Sequence, residues 1–205
     1  SILGLESSNS EEHFDRGLLH QSAGRFQDAL AASDAAIRWS PPYWEPHFNR
    51  AQILAALGRP EAALADHDRV LELDPEQDDA RLNRALLHFE RGAHDQAQGD
   101  LDLLLARPRP SAKALCLHGL LLLKHGEAGA ALQRFSQAID DDHALADAWA
   151  NRASAHYRLG DAGAALRDLD QAIQLRPDPD MFHNRDRILR RADTSAVSPA
   201  GVSAC

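Results

Sequence analysis

Residues Asn151–Pro177 read NRASAHYRLGDAGAALRDLDQAIQLRP. The stretch predicts two short helices joined by a tight turn at Gly160. Its punctuation recurs through the chain. Gly24, Gly58, Gly92, Gly126 and Gly160 stand 34 residues apart, and Ala29, Ala63, Ala97, Ala131 and Ala165 keep the same step. A fixed period in the range of about 20–50 residues marks a repeat architecture. The expected fold class is all-α, a solenoid of tandem helix-turn-helix units.

The step divides the chain into a leader at 1–9, five repeats at 10–43, 44–77, 78–111, 112–145 and 146–179, a capping helix at 180–192 and a disordered tail at 193–205. In each repeat, the helix before the glycine is called A and the helix after it B. Glycine suits a left-handed helix end because it has no Cβ to clash. Pro46 and Pro60 fit first helical turns, where the missing N–H costs nothing. Pro41, Pro42 and Pro75 stop B helices. The leader, SILGLESSN, shows no usable periodicity and is expected to be a frayed terminus. Met181, Phe182, Ile188 and Leu189 fall on a helical period. Arg185, Arg187, Arg190 and Arg191 occupy the other side, as an end cap of an open stack requires.

Composition limits what such a stack can do. The chain has 205 residues, 44% of them hydrophobic, and a net charge of -9. Nucleic acid is not the expected partner, because phosphate binding wants a basic surface. No apolar run approaches the roughly 20 residues of a membrane span. The two cysteines, Cys116 and Cys205, give no disulfide framework. A cytoplasmic location is expected, with the periplasm after removal of a signal peptide as the alternative; the first residue is Ser rather than Met.

These units resemble tetratricopeptide repeats, 34-residue helix-turn-helix motifs with fixed small, aromatic and proline positions. In the last repeat the matching residues are Trp149, Arg152, Ala153, His156, Gly160, Ala165, Leu169, Ala172 and Pro177. The second supplies His47, Arg50, Ala51, Leu54, Gly58, Ala63, His67, Val70 and Pro75. The resemblance spans 10–179 without an insertion and implies a right-handed superhelix.

One departure from the family pattern has its own logic. Arginine replaces the usual leucine at Arg16, Arg50, Arg84 and Arg152, and three of these sit in Asn-Arg-Ala triplets. Those three repeats carry Asp66, Asp100 and Asp168 sixteen residues later, on helix B. Guanidinium can bond a carboxylate bidentately. Partly buried Arg50–Asp66, Arg84–Asp100 and Arg152–Asp168 pairs are therefore expected to tie A to B. The fourth repeat has His118 and Arg134 at these positions.

Eleven histidines raise a metal or catalytic reading, and their spacing opposes it. His20, His88 and His156 share one repeat position but lie two repeats apart. With helices about 8–10 Å apart, they are roughly 20 Å from one another. No H-E-x-x-H or paired C-x-x-C pattern occurs, and no nucleophile–base pair stands out. Asp140, Asp141 and Asp142 read as a solvated helix end. The expectation is no catalytic residue, no metal, no cofactor and no enzyme.

The resemblance implies that A helices line a concave groove that binds a peptide or partner helix. In this sequence the groove would present Phe48, Asn49 and Gln52, then Asp79, Leu82, Asn83, Leu86 and Phe89. Lys113, Cys116, Leu117 and Leu120 follow, then Asp147, Asn151, Ser154, Tyr157 and Arg158. Its centre is apolar, and Glu11, Glu45, Asp79 and Asp147 form an acidic rim. Some family members grip the carboxylate tail of heat-shock chaperones with lysine and asparagine. Here Phe14 and Leu18 hold those positions, so that activity is not expected.

The function expected is a non-enzymatic scaffold or adaptor whose partner has an apolar face flanked by basic residues. The chain would be a monomer or weak homodimer. The alternatives are a self-associating structural protein, or the accessory domain of a longer enzyme or assembly factor.

Overall fold

The helix breakers recur every 34 residues, and the backbone obeys them. The computed structural model describes residues 2–39 and 43–196. Among these residues are eleven helices and no strand. They are α1 (Ile2–Ser22), α2 (Phe26–Trp39), α3 (Glu45–Ala56), α4 (Pro60–Leu73), α5 (Asp78–Glu90), α6 (His94–Leu105), α7 (Ala112–Lys124), α8 (Ala128–Asp141), α9 (Ala146–Arg158), α10 (Ala162–Leu175) and α11 (Pro179–Ala196). The chain forms two compact units, Ser1–Leu104 and Leu105–Cys205.

Each hairpin turns at one of the five spaced glycines, whose φ angles run from 68° at Gly58 to 87° at Gly160. At Gly160 the geometry is complete. Its N–H donates to the Tyr157 carbonyl at 3.1 Å, and the Asp161 N–H reaches back to the His156 carbonyl at 3.0 Å. These bonds satisfy carbonyls that the helix end would otherwise leave open. Asp161 then opens α10, its side chain accepting the Ala164 N–H at 2.8 Å. Pro60 opens α4 within its first turn, as expected.

In the first unit α1 packs on α2, α2 on α3, α3 on α4 and α4 on α5. In the second, α7 packs on α8, and the chain continues pairwise through α9 and α10 to α11. Small residues on A helices let B helices approach. Ala153 of α9 and Leu169 of α10 share one buried cluster with Ala165 and Ala172. At the equivalent place in α7 stands Gly119. A Cβ built there would lie 2.5 Å from Cε1 of Phe135, which is fully buried in α8. The larger B-helix residue thus faces the smaller A-helix residue.

Two terminal expectations change. The leader is not separate: α1 begins at Ile2, so most of residues 1–9 extends the first helix. No proline interrupts that segment, and helix once nucleated propagates cheaply. At the other end α11 runs to Ala196, so residues 193–196 are helical rather than tail. The remainder of the expected tail, 197–205, lies outside the described residues.

Candidate functional site

The recurring Arg and Asp of the repeats are scaffold, and their geometry shows why. Arg50 bonds Asp66 through Nε and Nη2, both at 2.7 Å. Arg84 bonds Asp100 at 2.8 and 2.6 Å, and Arg152 bonds Asp168 at 2.8 and 2.9 Å. All three aspartates are buried. Burial alone would raise the Asp66 carboxyl. Hydrogen bonds from Arg50 and His47 outweigh it and hold the group below the usual carboxylate range.

The remaining Nη1 of each arginine points the other way along the chain, which the sequence reading did not foresee. It donates to Asp34 of α2 at 2.7 Å from Arg50, to Asp68 of α4 at 2.7 Å from Arg84, and to Ser136 of α8 at 3.3 Å from Arg152. Each arginine therefore joins three helices: its own, the preceding B helix and the following B helix. Arg16 lacks this arrangement. Ala32 occupies the aspartate position, and Arg16 bonds Glu12 one turn away instead. In the fourth hairpin His118 is buried and Arg134 bonds Gln137 on its own helix.

The expected groove residues differ widely in exposure. In the first unit Leu86 is 41% exposed, and Leu18, at the same repeat position of α1, is 43% exposed. Gln52 lies between them in the repeat and accepts from Gln21 at 3.5 Å. Phe89 is half-buried and stacks on His94 with centroids 5.8 Å apart. Leu82 and Asn83 are half-buried and Asp79 is exposed. Phe48 belongs largely to the core. It packs with Val70, Leu71 and Ala80 and meets Trp44 and His67 edge-on.

Three expected groove residues are corrected. Asn49, Cys116 and Leu117 are 4%, 7% and 5% exposed. Asn49 lies beside the buried Ser33, where both approach Gly17. Cys116 packs into the cluster around Phe135 and receives a hydrogen bond from Asn151 Nδ2 at 3.5 Å. Burial pushes its thiol up, so it stays protonated and unreactive at neutral pH. Helix packing closed Cys116 and Leu117 because α7 is apolar on most sides and must be covered on most sides.

Elsewhere in the second unit Lys113 is exposed, while Leu120 is half-buried against the Phe135 cluster. Asp147 is exposed but bonded by Arg176, which answers its charge. Ser154 Oγ donates to the Ala150 carbonyl at 3.2 Å. Arg158 Nη1 donates to the Leu123 carbonyl at 2.6 Å, at the end of α7. Tyr157 is half-buried beside it.

Ser154, Tyr157 and Arg158 come together around a cleft of about 160 Å³. Its other walls are Ala153, Leu169, Asn184, Arg187 and Ile188. The last three belong to α11, which the sequence reading treated only as a cap. The signal was present but shifted. Asn184-Arg185 echoes Asn151-Arg152 at a step of 33 instead of 34. Arg185 donates to Asp170 of α10 at 3.2 Å, as Arg152 does to Ser136 of α8. Thus α11 is built like a further A helix with one residue removed from its connection. By that register Arg187 stands where Ser154 stands in α9 and Leu86 in α5.

A larger cleft of about 420 Å³ lies between α2, α3 and α4 in the first unit. Its Arg50 is answered by Asp34 and Asp66, and its Arg69 by Glu72 at 2.8 Å. Among the described residues, no group of three His, Cys, Asp or Glu is placed to hold a metal ion. No described helix is long and apolar enough to cross a membrane.

Among the described residues, ten of the eleven helices pair across a recurring positive-φ glycine, the pattern of an all-helical solenoid. Tetratricopeptide repeat profiles match residues 19–88 and 116–181, together well over half of the sequence, and the chain belongs to that family. Solved structures agree on the fold. YrrB, a TPR protein with an unusual peptide-binding site, has a TM-score of 0.64 at 19% identity, over 85% of this chain and 90% of its own. MamA from Desulfovibrio magneticus RS-1, from residue 41 to its end, has a TM-score of 0.71 at 19% identity, over 84% and 97%. Pseudomonas aeruginosa pilF has a TM-score of 0.74 at 15% identity, over 93% and 89%. No curated protein matches the sequence.

Proposed function

We propose that this chain is a non-enzymatic adaptor that holds a peptide or helix of a partner protein against its A-helix face, with the five 34-residue units as its repeats. The observation that carries this is the pair Leu18 and Leu86. Two large apolar side chains at one repeat position, 68 residues apart, remain more than 40% exposed, while Leu120 at the same position of α7 is half-buried. Exposed apolar groups aligned in this way favour a binding surface over a purely structural face. The peptide-binding site named for YrrB supports the same reading.

The charge around that face selects the partner. Glu45 and Asp79 are exposed in the first unit and enter no ion pair among the described residues, so basic flanks on the ligand suit this region. Asp147 adds little, because Arg176 already meets it.

The test is a Leu18→Asp/Leu86→Asp double variant. Dodecamer peptides selected on the wild-type chain by display would be measured by fluorescence anisotropy. The variant should bind at least tenfold more weakly with an unchanged helical circular dichroism spectrum. Equal affinity would remove the A-helix face of the first unit from the binding surface.

A further inference from the structure

We propose that α11 is a docking surface for a second copy of this chain, the two α11 helices lying antiparallel about a twofold axis between Arg185 and Asp186. This pairing goes beyond the peptide-binding function above and does not rest on it. With α11 as an A helix one residue short, Phe182 and Arg185 stand where Trp149 and Arg152 stand in α9, and Leu189 where His156 stands. In α9 that stripe is covered by the B helix that follows. Trp149 is half-buried and packs with two buried clusters. Arg152 bonds Asp168 bidentately, and His156 lies 3.8 Å from the same carboxylate. In α11 no described helix covers the stripe, and Phe182 is 39% and Leu189 44% exposed.

Arg185 makes half of the usual set of bonds. Its Nη1 donates to Asp170 of α10 at 3.2 Å, and its guanidinium lies 5.5 Å from the Phe182 ring, as that of Arg152 lies 4.8 Å from Trp149. Its Nε, the atom through which Arg50, Arg84 and Arg152 bond an aspartate of the next helix, is buried and makes no hydrogen bond. A buried donor in that state is costly, so the side chain is set for a further carboxylate. Asp186, beside it, is exposed and enters no ion pair among the described residues.

A B helix of the usual kind does not fit this face. It approaches over a small buried residue, Ala51, Ala85, Gly119 or Ala153, and α11 has Asp186 at that place. Residues 197–205 do not answer the stripe either, since they hold no charge and no side chain larger than valine. A second α11 does. Phe182, Arg185, Asp186 and Leu189 form one seam at helical spacing. With the axis between 185 and 186, Phe182 faces Leu189 of the second copy, and Arg185 faces Asp186 of the second copy. Twofold symmetry makes each contact twice and closes the assembly at two. One helix face is smaller than the roughly 800 Å² a side of a standard interface, so the association is weak.

Sedimentation velocity of the full chain would be followed from about 5 to 500 μM, the range in which so small an interface associates. A reductant prevents cross-linking through Cys205. The mass should rise from one chain toward two and stop there. Leu189→Asp should weaken association at least tenfold and Asp186→Arg at least threefold, each with an unchanged circular dichroism spectrum, because both side chains are exposed. Arg185→Asp should weaken it as well. Mixed in equal amounts, Arg185→Asp and Asp186→Arg chains should pair at least as well as wild type, since every carboxylate then faces a guanidinium. A wild-type chain that stays single throughout would leave the face to a helix of a different protein and overturn the pairing, as would growth beyond two copies. Association that neither Leu189→Asp nor Asp186→Arg weakens would overturn it by placing the contact elsewhere. A mixture that stays single would overturn the antiparallel register.

Discussion

The α3–α4 hairpin and the α7–α8 hairpin have the same turn but are closed by different chemistry. In the first, Arg50 grips Asp66 bidentately and His67 lies buried beside it. In the second, the arginine position holds His118, and Phe135 fills the space over Gly119. One hairpin is held by matched charge and the other by matched shape. Repeat geometry therefore demands contact between A and B at this level, but not a particular kind of contact.

Adding one methyl group at Gly119 should have the largest effect. Gly119→Ala places a Cβ against a fully buried aromatic ring that has no room to retreat. Overpacking of this kind costs about 3 kcal/mol. Urea denaturation should show the loss, and Phe135→Leu on the same chain should recover much of it by recreating the Ala153–Leu169 pairing. If the double variant is as unstable as the single one, shape matching at this level is not what closes the α7–α8 hairpin.

Removing one aspartate should cost less, and unequally between hairpins. Asp168→Ala leaves Arg152 with the Ser136 hydroxyl and the Trp149 ring but no carboxylate bonded to it, whereas Asp66→Ala leaves Arg50 with Asp34 at 2.7 Å. Breaking a buried pair on one side costs about 3 kcal/mol when nothing replaces the lost partner, so Asp168→Ala should approach that figure. Asp66→Ala should cost about half as much, because a second carboxylate is in place. Equal losses in denaturation would show that the neighbouring B-helix contact carries no compensation.

The smallest of these effects is the contribution of His67, in the charged hairpin, to the pH dependence of stability. Burial pushes His67 down to about 4. The folded chain then keeps it neutral while the unfolded chain protonates it near its ordinary value of about 6.5. Stability is full above about pH 6.5 and falls as pH drops toward 4, by about 1 kcal/mol at pH 5.5. Replacing His67 by leucine, the residue at the equivalent positions 101 and 169, should flatten thermal stability across that window. A variant with an unaltered pH profile would mean that His67 is not the titrating group.

Much of this was legible in the sequence because it is periodic. The turn glycines and the Arg–Asp pairs recur with both partners in step, so each copy supports the others. The second bond of each arginine was hidden, because its acceptor changes from Asp34 and Asp68 to Ser136. Burial of Asn49, Cys116 and Leu117 was hidden for another reason. Which part of an A helix stays open depends on how its neighbours pack, and repeat position alone does not encode that. In α11, a one-residue shortening broke the 34-residue step and concealed Asn184 and Arg187 as wall residues. The first turns of α1 lack periodicity, and helix there follows from continuation rather than pattern.

The shared arginines have a consequence for how each unit comes apart. Arg50 belongs to α3 yet also holds α2, and Arg84 belongs to α5 yet also holds α4. A hairpin so linked cannot open without loosening its neighbour, which is the nearest-neighbour coupling of a one-dimensional array. Arg16 makes no such bond, so the α1–α2 hairpin is tied onward only through the Arg50–Asp34 bridge among these arginine links. Amide protons there should exchange with solvent ahead of those in α3 and α4, and the first unit should fray from its α1 end.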